Sequence, residues 1–379
     1  MTPGMPRLFI QGGHIVPDIH TIGVLTGGGD CPGLNAVIRG VVRTALGKGM
    51  TVKGIQNGFQ GLVEDMVVTL RDRDVAGILP RGGTILGTTN RDNPFHYRVE
   101  ENGKHVFRNM SDRILENLKS NGIQALVLIG GDGTHAVALE LEKLGVKVVG
   151  VPKTIDNDIP LTERTFGFDS AVGVASWALD RLHTTAESHH RVMILEVMGR
   201  YAGWISLHAG MAGGADVILI PEIPYDIDVI VRKVRDRVER GKRFSIIVVS
   251  EGAAPIGGAM TVKRIVEDSP EKIRLGGIGE KLANEIEQRT EIESRCTVLG
   301  HLQRGGTPTA FDRILATRYG VAAVECICRG EFGRMVALQK NEITSVPIAD
   351  VVGKPHNVPS DDQLVKAGRA MGICFGDED

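Results

Sequence analysis

The stretch ALVLIGGDGTHAVALELEKLGVKVVGVPKTIDND (125–158) decides the fold of this chain. It begins with an apolar run over 125–130, turns at glycines, continues through a helical pattern over 134–144 and reaches a second apolar run over 146–151. Nearly continuous apolar runs are typical of strands buried on both faces of a parallel sheet. A helix between two such strands makes a βαβ unit.

The same alternation recurs along most of the chain. Further strands are predicted at 20–26, 191–197, 216–221, 245–250 and 297–300. Further helices are predicted at 35–46, 111–121, 171–186, 227–239, 279–288 and 313–326. The sequence therefore predicts an α/β fold with a mostly parallel sheet. Residues 1–19 have little periodicity and are predicted to be a loose N-terminal extension. No linker composition supports a linear cut into two domains.

Composition excludes several classes of protein. The 379 residues are 42% hydrophobic and 24% charged, which indicates a globular chain of two or three domains. A net charge of −2 argues against a nucleic-acid-binding protein. The apolar runs are shorter than the ~18 residues of a membrane helix, and the N-terminus lacks a secretory pattern. Five cysteines, an odd and sparse number, fit reduced thiols in the cytoplasm.

Glycine turns follow two of the predicted strands and each begins a helix. The first contains Gly27, Gly28 and Gly29, and the second contains Gly131 and Gly133. Glycine lets backbone N–H groups approach a phosphate, and the helix N-terminus favours an anion. A tight turn that needs glycine explains the first loop equally well. The chain has 49 glycines, about 13% against a usual ~7%, which favours close backbone approaches.

Carboxylates lie beside these turns. Asp132 stands next to the second turn, where it suits Mg²⁺ shared with phosphate oxygens, or it caps the helix. Lys153, Thr154, Asp156 and Asp158 form a dense polar cluster at a strand end. One carboxylate there suits a general base on a substrate hydroxyl, while the other organises a metal or water. The alternative is a turn rich in Asp and Asn.

Basic side chains mark the later strands. Arg200 follows one strand, Arg191 and Arg295 each begin one, and His301 and Arg304 follow another. Arginine binds phosphate with two parallel hydrogen bonds, so together they indicate a second, anionic ligand. Taken alone, each of these arginines is explained as a surface charge, and His301 is explained as a structural histidine.

Six segments, in order, are GVLTGGGDCPGLNAVIRG, RGGTILGT, IGGDGT, PKTIDND, EVMGRYAGW and LGHLQRGG. With these segments, from His20 to beyond Phe332, the chain resembles the phosphofructokinase family. The resemblance implies transfer of the γ-phosphoryl group of a donor to the 1-hydroxyl of fructose 6-phosphate. It also implies two interleaved three-layer α/β domains with the active site in the cleft between them. These would be a donor domain, 20–167 plus about 304–352, and a sugar-phosphate domain, 168–303 plus about 353–379.

The resemblance assigns roles to the donor-side residues. Asp156 would be the general base, supported by Asp158, and Thr154 would contact the transferring phosphoryl group. Asp132 would hold Mg²⁺. The donor phosphates would be bound by Gly28, Gly29, Gly131, Gly133 and Thr134. Arg91 matches a donor-side arginine, although the segment TTNRDNP around it carries an insertion.

The remaining roles concern the sugar phosphate. Met198, Gly199 and Arg200 would contact the sugar phosphate or the transferred group. Glu251 would bind sugar hydroxyls, with His301 and Arg304 on the 6-phosphate. Arg191 and Arg295 match arginines that reach the sugar phosphate of a neighbouring subunit. The resemblance therefore implies a homodimer or homotetramer with shared active sites.

Two positions bear on the phosphoryl donor. Pyrophosphate-dependent members of the family carry Asp where Gly133 stands and Lys where Lys153 stands. An Asp side chain would occupy and repel the space of the ATP α-phosphate, and glycine leaves that space open. We therefore predict ATP as the donor, with pyrophosphate as the alternative. Two alternative functions are considered. NAD kinases and lipid kinases also contain GGDGT, but PKTIDND argues against them. A catalytically silent sugar-phosphate sensor would have lost Asp132 or Asp156, and both are present.

Overall fold

The computed structural model describes residues 9–11, 14–16, 18–90, 92–101, 103–265 and 273–377. The strands in these ranges are β1 (Phe9–Gln11), β2 (His14–Val16), β3 (Thr21–Thr26), β4 (Thr51–Ile55), β5 (Val67–Leu70), β6 (Tyr97–Glu101), β7 (Lys104–Arg108), β8 (Ala125–Gly130), β9 (Val148–Thr154), β10 (Phe166–Gly167), β11 (Val192–Val197), β12 (Val217–Leu219), β13 (Ser245–Ser250), β14 (Val262–Ile265), β15 (Ile273–Leu275), β16 (Ser294–Val298), β17 (Arg334–Gln339) and β18 (Glu342–Pro347). The α-helices are α1 (Leu34–Gly47), α2 (Phe59–Val63), α3 (Ser111–Ser120), α4 (Asp132–Lys143), α5 (Phe168–His189), α6 (Trp204–Ala212), α7 (Ile227–Glu239), α8 (Ile278–Thr290), α9 (Ala310–Arg329) and α10 (Gln363–Ala370).

The chain forms two compact units. The first unit takes the described residues up to Thr154, then Ile159–Gly167 and Gly306–Lys354. The second unit takes Ile155–Asp158, Phe168–Gly305 and Pro355–Asp379. Each unit is therefore assembled from separate stretches of chain, which is why no composition shift marks a boundary.

The first unit contains the larger sheet, in the order β18-β17-β9-β8-β3-β4-β5 with β10 beside β9. Its central strands β17, β9, β8, β3 and β4 are parallel. The outer strands β18 and β5 are antiparallel to their neighbours. Every residue of β8 is buried, as its unbroken apolar run predicts. Leu25, Leu126 and Leu128 belong to the core that the sheet and its helices enclose.

The second unit contains a sheet of four parallel strands in the order β12-β13-β11-β16. Ile194, Ile247 and Val249 form its core together with Leu282 of α8. The parallel strands end at one edge of the sheet, so the loops that follow β11, β13 and β16 lie side by side.

The α/β fold with mostly parallel sheets is confirmed, although the central strands β4 and β17 were not predicted. The strand predicted at 297–300 is β16, which begins earlier, because an edge strand need not be apolar throughout. The antiparallel pairs β17–β18 and β6–β7 were not predicted. The strands β6, β7 and β18 are rich in polar residues and give a weak signal, whereas the apolar run 335–338 of β17 was not recognised as a strand. Within the predicted loose extension, β1 and β2 form an antiparallel pair. In the described part of the chain, no helix has the length and apolarity needed to span a membrane.

Candidate active site

Three loops of the first unit, residues 27–29, 131–134 and 153–154, follow neighbouring parallel strands and form what we call the donor edge. They come after β3, β8 and at the end of β9. The backbone N–H of Gly27 donates to the carbonyl of Ile129 at 2.9 Å, which ties the first loop to the end of β8. The donor edge therefore brings together Gly28, Gly29, Gly131, Asp132, Gly133, Thr134, Lys153 and Thr154.

The glycines of the donor edge have different physical reasons to be glycine. A Cβ on Gly27 would lie 2.6 Å from Oγ1 of Thr134, and Gly28 has a φ of 76°, which favours glycine. Close packing against Thr134 thus accounts for Gly27, and the tight turn accounts for Gly28. Gly133 differs, because a Cβ there would have no atom within 4 Å and its φ is not in the left-handed region. The fold therefore does not require glycine at position 133.

Asp132 is the first residue of α4 and is exposed. The interpretation of Asp132 as the helix cap is not supported, since Gly131 occupies the N-cap position. Oδ1 of Asp132 accepts a hydrogen bond from the backbone N–H of Gly353 at 2.8 Å, which fixes the carboxylate. In the described ranges no group of three or more His, Cys, Asp or Glu side chains is arranged to hold a metal. A single fixed carboxylate still suits Mg²⁺, which is commonly held by one or two carboxylates plus substrate phosphates and water.

Lys153 is buried within the donor edge, with 5% of its surface exposed. Its ammonium group donates a hydrogen bond to the carbonyl of Gly29. This bond joins the end of β9 to the first glycine loop, so Lys153 has a structural contact in addition to any role toward the donor. Thr154 is the last residue of β9, and its carbonyl accepts from Oγ1 of Thr165 at 2.7 Å.

His135 is a residue of this region that the sequence analysis missed. It is fully buried, and its Nδ1 lies 2.8 Å from the carbonyl of Gly131. Its Nε2 is buried without a hydrogen-bond partner. Burial lowers the pKa of His135 to about 4, against the opposing effects of the Gly131 bond and the Asp132 charge. His135 is therefore neutral at physiological pH. Its buried ring supports the loop 131–134 through the contact with the Gly131 carbonyl.

The second unit places another set of the predicted residues at the carboxyl edge of its sheet. The N–H of Glu251 donates to the carbonyl of Val197 at 2.9 Å, and the N–H of Gly252 donates to that of Gly199 at 3.1 Å. These bonds join the loops after β11 and β13. Residues of the 3-10 turn Gly300–Gln303 follow β16 at the same edge. The edge therefore collects Met198, Gly199, Arg200, Glu251, His301 and Arg304.

Gln303 holds this edge together and was also missed from the sequence, although it lies within LGHLQRGG. Its side chain is fully buried, and its Oε1 accepts from the backbone N–H of Met198 at 2.8 Å. Gly199 has a φ of 135°, so the turn after β11 favours glycine. The guanidinium of Arg200 donates to the carbonyl of Ile273 at 2.6 Å.

Arg191 and Arg295 lie at the opposite edge of the same sheet. Arg191 directly precedes β11, and Arg295 is the second residue of β16. At the rise of a β-strand, Arg191 lies about 20 Å from the carboxyl end of β11, and Arg295 lies about 10 Å from that of β16. Nε of Arg191 donates to Glu293 at 2.6 Å, and Arg295 pairs with the same carboxylate. The Arg191 hydrogen bond holds the pKa of Glu293 below its usual value. Within one chain, the structure therefore does not bring these arginines to the residues of the carboxyl edge.

Asp156 and Asp158 belong to the segment Ile155–Asp158, the first stretch of the second unit. Both side chains are partly buried. Asn157 between them is buried with a φ of 52°, so the chain turns sharply here, in agreement with the predicted turn. Turn and catalytic function are not exclusive, since the turn presents two carboxylates directly after the donor edge in sequence. Arg91 lies outside the described residues.

Comparison with known proteins gives the family. The phosphofructokinase family model matches residues 21–327. A Clostridium perfringens protein named ATP-dependent 6-phosphofructokinase 2 is 56% identical over 95% of this chain and 99% of its own length. A Streptomyces coelicolor protein named pyrophosphate–fructose 6-phosphate 1-phosphotransferase is 53% identical over 94% and 99%. A phosphofructokinase structure from Pichia pastoris in the T-state superposes with a TM-score of 0.75 at 32% identity, covering 94% of this chain and 37% of that one. The chain belongs to the phosphofructokinase family.

Proposed function

We propose that this protein is an ATP-dependent 6-phosphofructokinase, which phosphorylates the 1-hydroxyl of fructose 6-phosphate with Mg²⁺ as cofactor. The observation that carries the proposal is the donor edge, where a fixed carboxylate, Asp132, and the open position at Gly133 begin a helix. A helix N-terminus beside a glycine turn favours phosphate, because its first N–H groups have no partner within the helix.

In the proposed mechanism, Asp156 accepts the proton of the sugar 1-hydroxyl. The freed oxygen attacks the γ-phosphorus, a new O–P bond forms, and the bond to the leaving β-phosphate oxygen breaks. Thr154 contacts the transferring phosphoryl group, and Asp158 supports the base. Mg²⁺ bound at Asp132 would neutralise charge on the donor phosphates. Phosphoryl transfer depends on positioning and charge neutralisation more than on covalent catalysis, which fits the residues that the chain supplies.

The carboxyl edge of the second unit is proposed to bind the sugar phosphate. Arg200, His301 and Arg304 supply cationic or hydrogen-bonding groups for its phosphate, and Glu251 accepts bonds from sugar hydroxyls. Met198 and Gly199 line the same turn. Gln303 keeps this turn in register, because it binds the backbone of Met198. Lys153 and the donor-edge glycines belong to the donor side.

ATP is proposed as the donor for a steric reason. The space at Gly133 is open, so nothing in the protein occupies the position where a side chain would meet the α-phosphate. Lys153 donates to the Gly29 carbonyl and is compatible with either donor. The relative named as a pyrophosphate enzyme supports the alternative, a pyrophosphate-dependent phosphotransferase acting on the same sugar.

We also propose a homodimer or homotetramer in the cytoplasm. Arg191 and Arg295 lie toward the amino ends of β11 and β16, away from the carboxyl edge of their own sheet, which suits arginines that serve a neighbouring subunit. All five cysteines are free thiols, as expected in a reducing compartment.

The first experiment measures fructose 1,6-bisphosphate formed from fructose 6-phosphate and Mg²⁺, with ATP and pyrophosphate tested in parallel. Activity with ATP alone is expected. Activity with pyrophosphate alone would mean that Lys153 and its surroundings decide the donor and that the steric argument is wrong. Asp156→Asn should lower kcat by about 10²–10⁴-fold if Asp156 is the base. A fully active Asp156→Asn enzyme would exclude that role.

A further inference from the structure

The loop that carries the two proposed catalytic carboxylates is held by a segment near the C-terminus. The backbone N–H of His356 donates to the carbonyl of Asp158 at 2.8 Å. The ring Nδ1 of His356 lies 3.1 Å from the carbonyl of Asn157. One histidine therefore contacts two successive carbonyls of the segment Ile155–Asp158. All of these residues belong to the second unit.

The second contact defines where the proton of the ring lies. A carbonyl oxygen only accepts hydrogen bonds, so Nδ1 of His356 must carry a hydrogen. The neutral Nδ1–H tautomer and the imidazolium both satisfy this requirement. The contact therefore depends on a donor at that position rather than on a positive charge.

His356 is itself anchored on the start of α6. Nε1 of Trp204 donates to the carbonyl of His356 at 2.8 Å, and the two rings pack with their centroids 4.8 Å apart. Two residues later, the N–H of Val358 donates to the partly buried carboxylate of Glu222 at 2.8 Å. Glu222 also accepts from the N–H of Gly203 at 3.0 Å. The segment is thus fixed on both sides of His356.

The loop needs such support because of its conformation. Asn157 is fully buried with a φ of 52°, in the left-handed region that residues with a side chain adopt rarely and asparagine more often than most. Conformations of this kind persist where the surrounding structure holds them. Asp156 and Asp158 flank Asn157, so any relaxation of this turn would move both carboxylates.

We propose that His356 is a positioning residue for catalysis: its backbone and Nδ1 hydrogen bonds to the carbonyls of Asp158 and Asn157 fix the carboxylates Asp156 and Asp158 in their reactive geometry. The proposal rests on the proposed function, because it assumes that these carboxylates act in phosphoryl transfer. His356 lies beyond residues 21–327, which match the family model, so no motif used above contains it. A displacement of about 1 Å in a catalytic group can lower a rate by about 10²-fold.

The test compares His356→Ala with His356→Asn, whose amide nitrogen can replace Nδ1 as a donor. We expect His356→Ala to lower kcat by about 10–100-fold, with the KM for ATP unchanged. His356→Asn should recover most of this loss, and the exposed His105→Ala is the matched control. Wild-type kcat in His356→Ala, or equal losses in both variants, would overturn the proposal.

A second variant, at Trp204, distinguishes a loss of positioning from a general folding defect. Trp204→Phe keeps an aromatic ring at this position but removes the indole N–H that donates to the His356 carbonyl. It should therefore also lower kcat. The double variant Trp204→Phe/His356→Ala should lose less than the sum of the two single losses in activation free energy, because both act on one contact chain. Additive losses would contradict the proposal. A wild-type protein inactive with every donor would instead refute the proposed function.

Discussion

Gly133 is the residue at which the donor prediction can be tested most directly. The open space at this position means that Gly133→Asp should fold without a steric clash. Its carboxylate would then occupy and repel the α-phosphate of ATP, so we expect kcat/KM for ATP to fall by at least about 10²-fold, or roughly 3 kcal/mol.

Steady-state kinetics with both donors measure this change. Gly47→Asp is the matched control, because Gly47 is exposed, has no atom within 4 Å of its Cβ position and lies outside the donor edge. ATP activity retained in Gly133→Asp would refute the steric account of donor choice.

His135 gives a pH prediction with a definite sign. The pKa of His135 falls from 6.5 to about 4 on folding. Between these pH values, the unfolded chain therefore binds a proton at His135 that the folded protein does not bind. The free energy of unfolding should therefore decrease as pH falls from 6.5 to 4, by about 3 kcal/mol in total from this residue.

The measurement is urea unfolding at several pH values in the wild type and in His135→Asn, which keeps a donor toward Gly131 but does not titrate. Between pH 6.5 and pH 4, the free energy of unfolding of the wild type should fall by about 3 kcal/mol more than that of His135→Asn. His105→Asn, at an exposed position, should leave the wild-type slope unchanged. Parallel pH curves for wild type and His135→Asn would show that His135 titrates normally.

At the residue scale, most of the candidate site residues that the sequence predicts lie in loops directly after strands. Asp132 and Gly133 are such candidates, because a glycine turn between a strand and a helix has a local signature. His135, bonded to Gly131 four residues before it, was not found, because its burial has no local signature in the sequence. Gln303 and His356 were not found, because each makes a hydrogen bond to backbone from a distant part of the sequence. Their partners Met198 and Asn157 are identified only by the tertiary structure.

At the scale of elements, apolar periodicity predicted most of the buried parallel strands but missed β4 and β17 within the larger sheet and the antiparallel strands. The strands over Ala125–Gly130 and Ser245–Ser250 coincide with their predicted ranges, since both faces of each are covered. The strands β17 and β18 join the larger sheet after a long helix, and their pairing is antiparallel. A βαβ pattern does not predict such a pair, because the connection is a tight turn rather than a crossover helix.

The packing of α1 against α9 gives a prediction about elements. A Cβ on Gly320 would lie 2.5 Å from the carbonyl oxygen of Val37, so the two helix backbones approach too closely for any side chain. Gly320→Ala should therefore lower the free energy of unfolding by about 1–3 kcal/mol. Gly47→Ala, in α1 but with open space around it, should raise it by about 0.5–1 kcal/mol.

Chemical denaturation of both variants distinguishes packing from helix propensity. Propensity alone would make both substitutions stabilising, because alanine favours the helix more than glycine does. A stabilised Gly320→Ala would mean that the helices separate at little cost and that the close approach does not matter for stability.

At the scale of the whole molecule, the position of Arg295 leads to a prediction about assembly. Arg295 lies toward the amino end of β16, about 10 Å along the strand from its carboxyl end, and pairs with Glu293. If it serves the sugar phosphate of a neighbouring subunit, each active site combines Asp156 of one chain with the partner subunit's Arg295. Asp156→Asn and Arg295→Ala should then each be inactive alone yet restore activity when co-expressed. A hybrid dimer of the two would contain one site with both changes and one site with neither.

Random pairing of equal amounts gives half hybrids with one intact site each, so about a quarter of the wild-type activity is expected. Co-expression with two different affinity tags isolates the hybrids for assay. Asp156→Asn combined with Asp132→Asn is the control, because both residues would serve the site of their own chain and no intact site forms. An Arg295 mixture as inactive as this control would mean that the subunits exchange nothing at the sugar phosphate and that Arg295 acts within its own chain or only through its pairing with Glu293.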